Sequence, residues 1–539
     1  MSRSRPGAGA RLRIPALLLA LGIPVLPLGA QQHDHPAGDV AQLGKVTFPV
    51  SCSAPAAAEF ERGAAMLHSF WFDAATETFR KAAALDPACA MAHWGVAMTM
   101  LGNPLTRVPP TPDREREGRA AAEQARALAG KASHREQMYI DAVTAYYLAE
   151  GLDHPARMQA HEQALAALQG AHGDDQEATI FLARAMIANA PPADLTFARQ
   201  LAAAELIQPL FDTNPQHPGL AHYLIHAYDA PALAEKGSKA AFAYAEIAPA
   251  APHALHMPSH IFTRLGYWDE SIETNMRSAR AEPDSNAAVH PLDYMVYAYL
   301  QQGRDAAAKQ VVDRIEQTTD QFYASIVGYN FAAMPARYAL EREDWAAAAA
   351  LPVAPDAPPF ALAVTRFARA IGAARSGAGA AAAEEIAALR ALETMLQEKK
   401  DTYWTTIVQA QRLASEAWLA HAEGRSEDAL RLAREAADLE ETVEKHPVTP
   451  GPLLPARELQ ADLLLALDRP ADALVAYEQT LKREPRRARA LFGAARAAEA
   501  AGKADVARAH YAQLLEVMEH ADASRPQPAA ARRFLAGTD

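Results

Sequence analysis

Cysteine is nearly absent from this chain, with only Cys52 and Cys89 among 539 residues, and no CxxC pair exists. That excludes a thiolate zinc cage and a dithiol redox motif. No Lys/Arg block occurs and the formal net charge is −13, so nucleic acid is excluded as a partner, because binding there rests on neutralising phosphates. Phosphate loops, a GxSxG elbow and a dinucleotide fingerprint are all missing, which leaves nucleotide and serine-hydrolase chemistry without support. No run alternates in the manner of a strand. Ala-rich stretches with few β-branched residues predict helix throughout.

The one strongly apolar stretch is N-terminal. Arg3, Arg5, Arg11 and Arg13 precede an uncharged run from Ile14 to Ala30 that Pro15, Pro24 and Pro27 interrupt. This predicts a cleaved export signal over 1–30, since a membrane span needs about 20 apolar residues. No stable membrane insertion is expected after cleavage, and a periplasmic or secreted location follows. No Cys follows the run to take a lipid. In that compartment the default for Cys52 and Cys89 is one disulfide closing a loop of 89 − 52 = 37 residues, with a pair of buried thiols as the alternative. A mature start at Gln31-Gln32-His33 would also offer Cu(II) a terminal amine and a third-position His.

Period is what the chain has in abundance. His222, His256 and His290 stand 34 residues apart, and His226, His260 and Tyr294 repeat the same steps one helical turn later. Ala461, Ala473 and Tyr477 recur 34 residues on as Ala495, Ala507 and Tyr511, while Pro249 and Pro283 are also 34 apart. Near the N-terminus Gly63, Ala75, Phe79, Ala82 and Pro87 follow the same order. A 34-residue period is that of helical hairpins stacked into a solenoid, where residues at one address share a face.

These small residues, the aromatic late in the second helix and the closing Pro resemble the tetratricopeptide repeat family. The resemblance is specific over 56–125, 218–317 and 455–520. It implies an all-α, right-handed superhelical solenoid of helix-turn-helix repeats, with protein or peptide partners bound on its concave side. The segments Leu67–Trp71, Cys89–Gly95 and His217–Trp268 also look like exported bacterial proteins of this type, a group with no established activity. The expected organisation is an extension over 31–55, a first solenoid over 56–350, degenerate repeats over 360–445, a C-terminal pair over 455–520 and a disordered tail over 521–539. Pro-rich breaks at Leu351–Pro359 and His446–Pro455 are expected as joints.

The histidines admit two readings. His222 and His226 are i, i+4 on a helix that Pro218 can start, so both rings leave one face. With metal–nitrogen bonds of about 2.0–2.1 Å and helices about 8–10 Å apart, His222, His226, His256 and His260 can meet on one transition ion. His290 and Tyr294 would then flank it or serve a second site. Imidazole suits Zn, Cu, Fe or Ni, and Asp229 or Glu246 could orient a ring. The other reading is a metal-free groove, lined also by His217 and His253, for a peptide, protein or small ligand. Pro258 and Pro291 complicate the helical spacing. His68, Phe70, Trp71, His93, Trp94, Tyr223, Tyr267 and Trp268 are expected as packing, and the acidic run Glu435–Glu444 as a solvated face.

The leading functional expectation is an exported binding or scaffold protein. The alternative is a metal-dependent enzyme with a multi-His centre.

Overall fold

A computed structural model describes residues 42–282, 288–316 and 326–537. The export segment, His33 and Pro283 lie outside the described residues. Every regular element among them is helical, and consecutive helices pair as hairpins from Ala54–His68 onward.

The spacing of small and aromatic residues sets the hairpin packing. Phe79, on the helix Phe72–Leu85, sits against Gly63 of the helix Ala54–His68 and Gly95 of the helix Ala90–Met100. A Cβ on Gly63 or Gly95 would come within 2.8 or 2.4 Å of its ring, so only glycine lets the three helices close on it. Tyr477 does the same against Gly493 in the C-terminal pair. Ala461, Ala473, Ala495, Ala507 and Tyr511 are all buried, as the period predicts. Cys52 and Cys89 are bonded, with Cα atoms 5.0 Å apart, and staple the start of the first helix to the start of the third.

The described residues form one compact unit rather than separate solenoid segments. The superhelix closes on itself, because the hairpins at 268–316 share a hydrophobic core with those at 461–531. Trp268 donates its indole N–H to the carbonyl of Arg486 at 3.2 Å. The tail is folded, contrary to expectation. Arg525 reaches Asp305 at 2.7 Å, and Ala531 is buried on the helix Pro526–Ala536. Those contacts repay the ordering entropy of the last turn.

The break at His446–Pro455 is not a joint. It is a largely buried strap whose carbonyls are received by side chains from distant hairpins. Val448 O accepts from Asn330 Nδ2 at 2.8 Å, Thr449 O from Tyr294 Oη at 3.1 Å, and Gly451 O from Arg337 at 2.7 Å.

Candidate metal centre

Proline places the histidines. Pro218 begins the helix Pro218–Tyr228, where its missing N–H costs nothing, and one turn aligns His222 with His226. The next address is split into Pro252–His256 and Pro258–Leu265, with Met257 between them. Met257 keeps helical dihedrals (φ −54, ψ −35), so the new start at Pro258 leaves His256 and His260 on one side. In the helix Val289–Gln301 Pro291 sits in the first turn, not at its start, and His290 lies inside the helix.

Six imidazoles gather there as two triads, His222–His226–His253 and His256–His260–His290. The sequence expectation of one ion shared by His222, His226, His256 and His260 does not match this division. His253, expected as groove lining, completes the first group, and His290 completes the second. In the first triad His222 Nε2 lies 3.1 Å from His226 Nε2 and 3.2 Å from His253 Nε2. In the second, His256 Nε2 and His260 Nε2 are 3.1 Å apart. Two nitrogens each about 2.05 Å from one ion, with an angle of about 100° between the bonds, are separated by about 3.1 Å. The triads meet ring to ring, with centroids 5.8 Å apart for His226–His260 and 6.0 Å for His253–His256.

Their outer partners fix the tautomers. His222 Nδ1 donates to the carbonyl of His68 at 2.6 Å, an oxygen that can only accept. His256 Nδ1 donates to Asn275 Oδ1 at 2.6 Å, and the amide cannot be flipped because Asn275 Nδ2 already donates to Ser271 O. His260 Nδ1 donates to Asp229 Oδ2 at 2.9 Å. With Nδ1 protonated in each, the facing Nε2 atoms of His256 and His260 are both lone pairs. Lone pairs 3.1 Å apart repel unless a cation lies between them. A proton is disfavoured, since burial first, and then the neighbouring imidazoles, hold His222, His226, His253, His256 and His290 well below their ordinary value. His290 Nδ1 is shut off from solvent with no hydrogen-bond partner, which suits a metal donor.

Around the second triad the charges are paired. Arg264 and Lys445 each lie 2.9 Å from Asp229, and Glu444 is 3.2 Å from Arg264. Tyr294 Oη is 3.4 Å from His260 and also 3.4 Å from Lys445 Nζ. The acidic run is therefore not wholly solvated, since Glu444 turns inward to these cations. On the first triad Phe70 packs its ring against His222 (4.4 Å) and His253 (5.3 Å) from a left-handed backbone, φ 53. Such a conformation in a non-glycine residue is held by its surroundings. Phe70 was expected as ordinary packing, and no feature of its sequence context signalled the role.

Two expected residues are elsewhere. Glu246 is paired with Arg277 at 2.7 Å and orients no ring. His217 does not line a groove, but is buried where Glu177 bridges it to His68, each Nε2 lying 2.8 Å from a different carboxylate oxygen. That third group supports the first triad from behind, because the carbonyl holding His222 belongs to His68. Gly219, one address before His253, is glycine because a Cβ would sit 2.6 Å from His68 Nδ1. Trp94, by contrast, is packing as expected, surrounded by Phe48, Phe60, Tyr139 and Phe181.

No protein-family model and no curated protein matches this chain. Among solved structures, it is similar to the Cut9–Hcn1 hetero-tetramer of APC/C, with 11% identity and a TM-score of 0.34 over 89% of this chain and 75% of that one. It is also similar to the TPR domain of P58(IPK), with 13% identity and a TM-score of 0.22 over 90% and 99% of the two chains.

Proposed function

We propose that the two histidine triads hold a pair of transition-metal ions side by side, and that the chain is an exported metal-dependent enzyme acting on a small molecule. One observation carries this above all: the bare Nε2 atoms of His256 and His260, 3.1 Å apart with both Nδ1 protons committed to acceptors. Three donors per ion leave a coordination position for an exogenous ligand, the feature that separates catalytic from structural centres. His226, His253 and His290 are the less buried members of the two triads, so an exogenous ligand would approach from their side. Such an ion, when bound, supplies a Lewis acid or an activated small ligand. The residues of the chain hold the rings, and Asp229, Lys445 and Tyr294 form a polar wall beside the second triad.

A scaffold that receives a peptide is less well supported, because the carbonyls of Val448, Gly451 and Pro452 are already bonded to the chain's own Asn330 and Arg337. Elemental analysis of untagged, chelator-free protein tests the proposal. Two metal equivalents per chain are expected. H222A/H226A and H256A/H260A should each retain one, and H222A/H256A none, with helicity unchanged in all three. No bound metal after reconstitution would overturn the proposal.

A further inference from the structure

We infer that the paired triads are built for two cuprous ions, and that the ligand they share is dioxygen. The inference rests on the two-ion reading above and goes further by naming the metal, its valence and the co-substrate.

Neutral donors favour the lower valence. All six donors are neutral imidazoles, and among the described residues no carboxylate belongs to either triad or bridges them. The charged groups at the second triad cancel: Asp229 and Glu444 against Arg264 and Lys445. Beyond them Asp293 is closed by Arg337 at 3.0 Å. The donor set therefore contributes no negative charge, and Glu177, behind the first triad, is bonded to His68 and His217 and not to a donor. Two divalent ions would bring four positive charges into a buried, neutral setting, whereas two monovalent ions bring half as many, and the penalty for buried charge rises steeply with its magnitude. Among metals suited to imidazole, copper alone is commonly monovalent, and a ligand set of three nitrogens without thiolate leaves it open to reaction.

The same balance points to the ligand. If each cuprous ion gives one electron to dioxygen held between them, both become cupric and dioxygen becomes a dianion. No atom leaves and no proton is required. The ions gain two positive charges while the ligand gains two negative ones, so the net charge of the centre is the same before and after the step. A neutral surround with paired outer charges suits both states. The less buried members of the triads are His226, His253 and His290, and Phe70 closes the first triad with an apolar face against His222 and His253.

The experiment loads full-length, metal-free protein under nitrogen with a stabilised Cu(I) complex or with Zn(II), measures bound metal, and then adds air-saturated buffer. Oxygen uptake is followed with an electrode and cupric copper by electron paramagnetic resonance. The expected result is two Cu(I) per chain, one dioxygen taken up per two coppers, and little resonance signal, because two cupric ions coupled through one dianion cancel their spins. H290A should retain close to one copper and lose at least nine-tenths of the uptake, with unchanged helicity. Two zinc ions that Cu(I) cannot displace would overturn the copper assignment while leaving the two-ion centre standing. Two Cu(I) that oxidise to separate, fully visible cupric ions would overturn the shared-dioxygen step alone. Binding of neither metal would remove the inference together with the centre.

Discussion

Lys445 Nζ lies 2.9 Å from Asp229 Oδ2, the same oxygen that receives the Nδ1 proton of His260, although 216 residues separate lysine and aspartate. Lys445 immediately precedes the strap, whose start is thus anchored beside the outer partner of a candidate ligand. Burial alone would raise the carboxyl of Asp229, but the Lys445 and Arg264 charges hold it well below the usual carboxylate range. It stays an acceptor, and His260 keeps its Nε2 lone pair free.

Replacing Lys445 with Met should therefore weaken metal at the second triad about tenfold, the lower end of the effect of losing an outer partner. The first triad should hold its ion unchanged. Asp229→Ala should do more, since it also leaves Lys445 buried without its carboxylate, at a cost of roughly 3–5 kcal/mol, while Arg264 keeps Glu444. A chelator titration that resolves the two equivalents checks this, and equal weakening of both by K445M would contradict the assignment of Asp229 to His260.

Arg337 is the main clamp on the strap. Its guanidinium donates to Gly451 O and Thr449 Oγ1 at 2.7 Å and to Pro452 O at 2.8 Å, while pairing with Asp293. Arg337→Met should cost roughly 3–5 kcal/mol, because it leaves Asp293 buried and unpaired. Adding Asp293→Asn removes the stranded charge and should restore most of the global stability. The amides of 446–455 should still exchange faster in the double variant than in the parent. If hydrogen exchange of the strap recovers along with global stability, Arg337 is a stabiliser of the core and not its clamp.

Much of the fold was legible because period is a one-dimensional signal. The 34-residue steps through Ala461, Tyr477, Ala495 and Tyr511 carry packing between neighbours in sequence. Closure of the superhelix was not legible, since Trp268 meeting Arg486 and Arg525 meeting Asp305 are contacts across more than two hundred residues that leave no periodic trace. The histidine ladder pointed to the cluster of imidazoles but not to its division into triads. His253 stands three residues before its ladder address, and it joins His222 because the turn Ala248–Ala251 brings the following short helix back over Pro218–Tyr228. The strap was read as a joint from its prolines, which mark irregular backbone but do not say where it lies.

Glu440 gives a pH dependence with a defined sign. Burial pushes its carboxyl up to about 7 from an ordinary 4.5, against the pull of the Ala456 N–H that it accepts at 2.7 Å. The folded state therefore binds more protons than the unfolded one between pH 4.5 and about 7. Stability from this group falls as pH rises through that window, by up to roughly 3 kcal/mol. The buried histidines act in the opposite direction, since their lowered values make stability rise with pH towards 6.5. Only the difference between parent and Glu440→Gln isolates the carboxyl. Urea midpoints at pH 5 and pH 7.5 should show the variant gaining on the parent as pH rises, and a constant difference would rule out Glu440 as the source.

The disulfide reaches one triad and not the other. Cys52 precedes the helix Ala54–His68, and the last residue of that helix lends its carbonyl to His222 Nδ1 at 2.6 Å. Closing a 37-residue loop stabilises the fold by about 3–4 kcal/mol in the chain-entropy account. Replacing both cysteines with Ser should lower the urea midpoint accordingly. It should also loosen the seat of His68, so that metal at the first triad is held several-fold more weakly. The second triad takes its outer partners from Asn275 and Asp229, neither of which touches the stapled hairpins, and its affinity should not change. Site-resolved titration of the reduced and oxidised parent gives the same comparison without mutation. Equal weakening at both triads would mean that the staple acts through global stability and not through the His68 carbonyl.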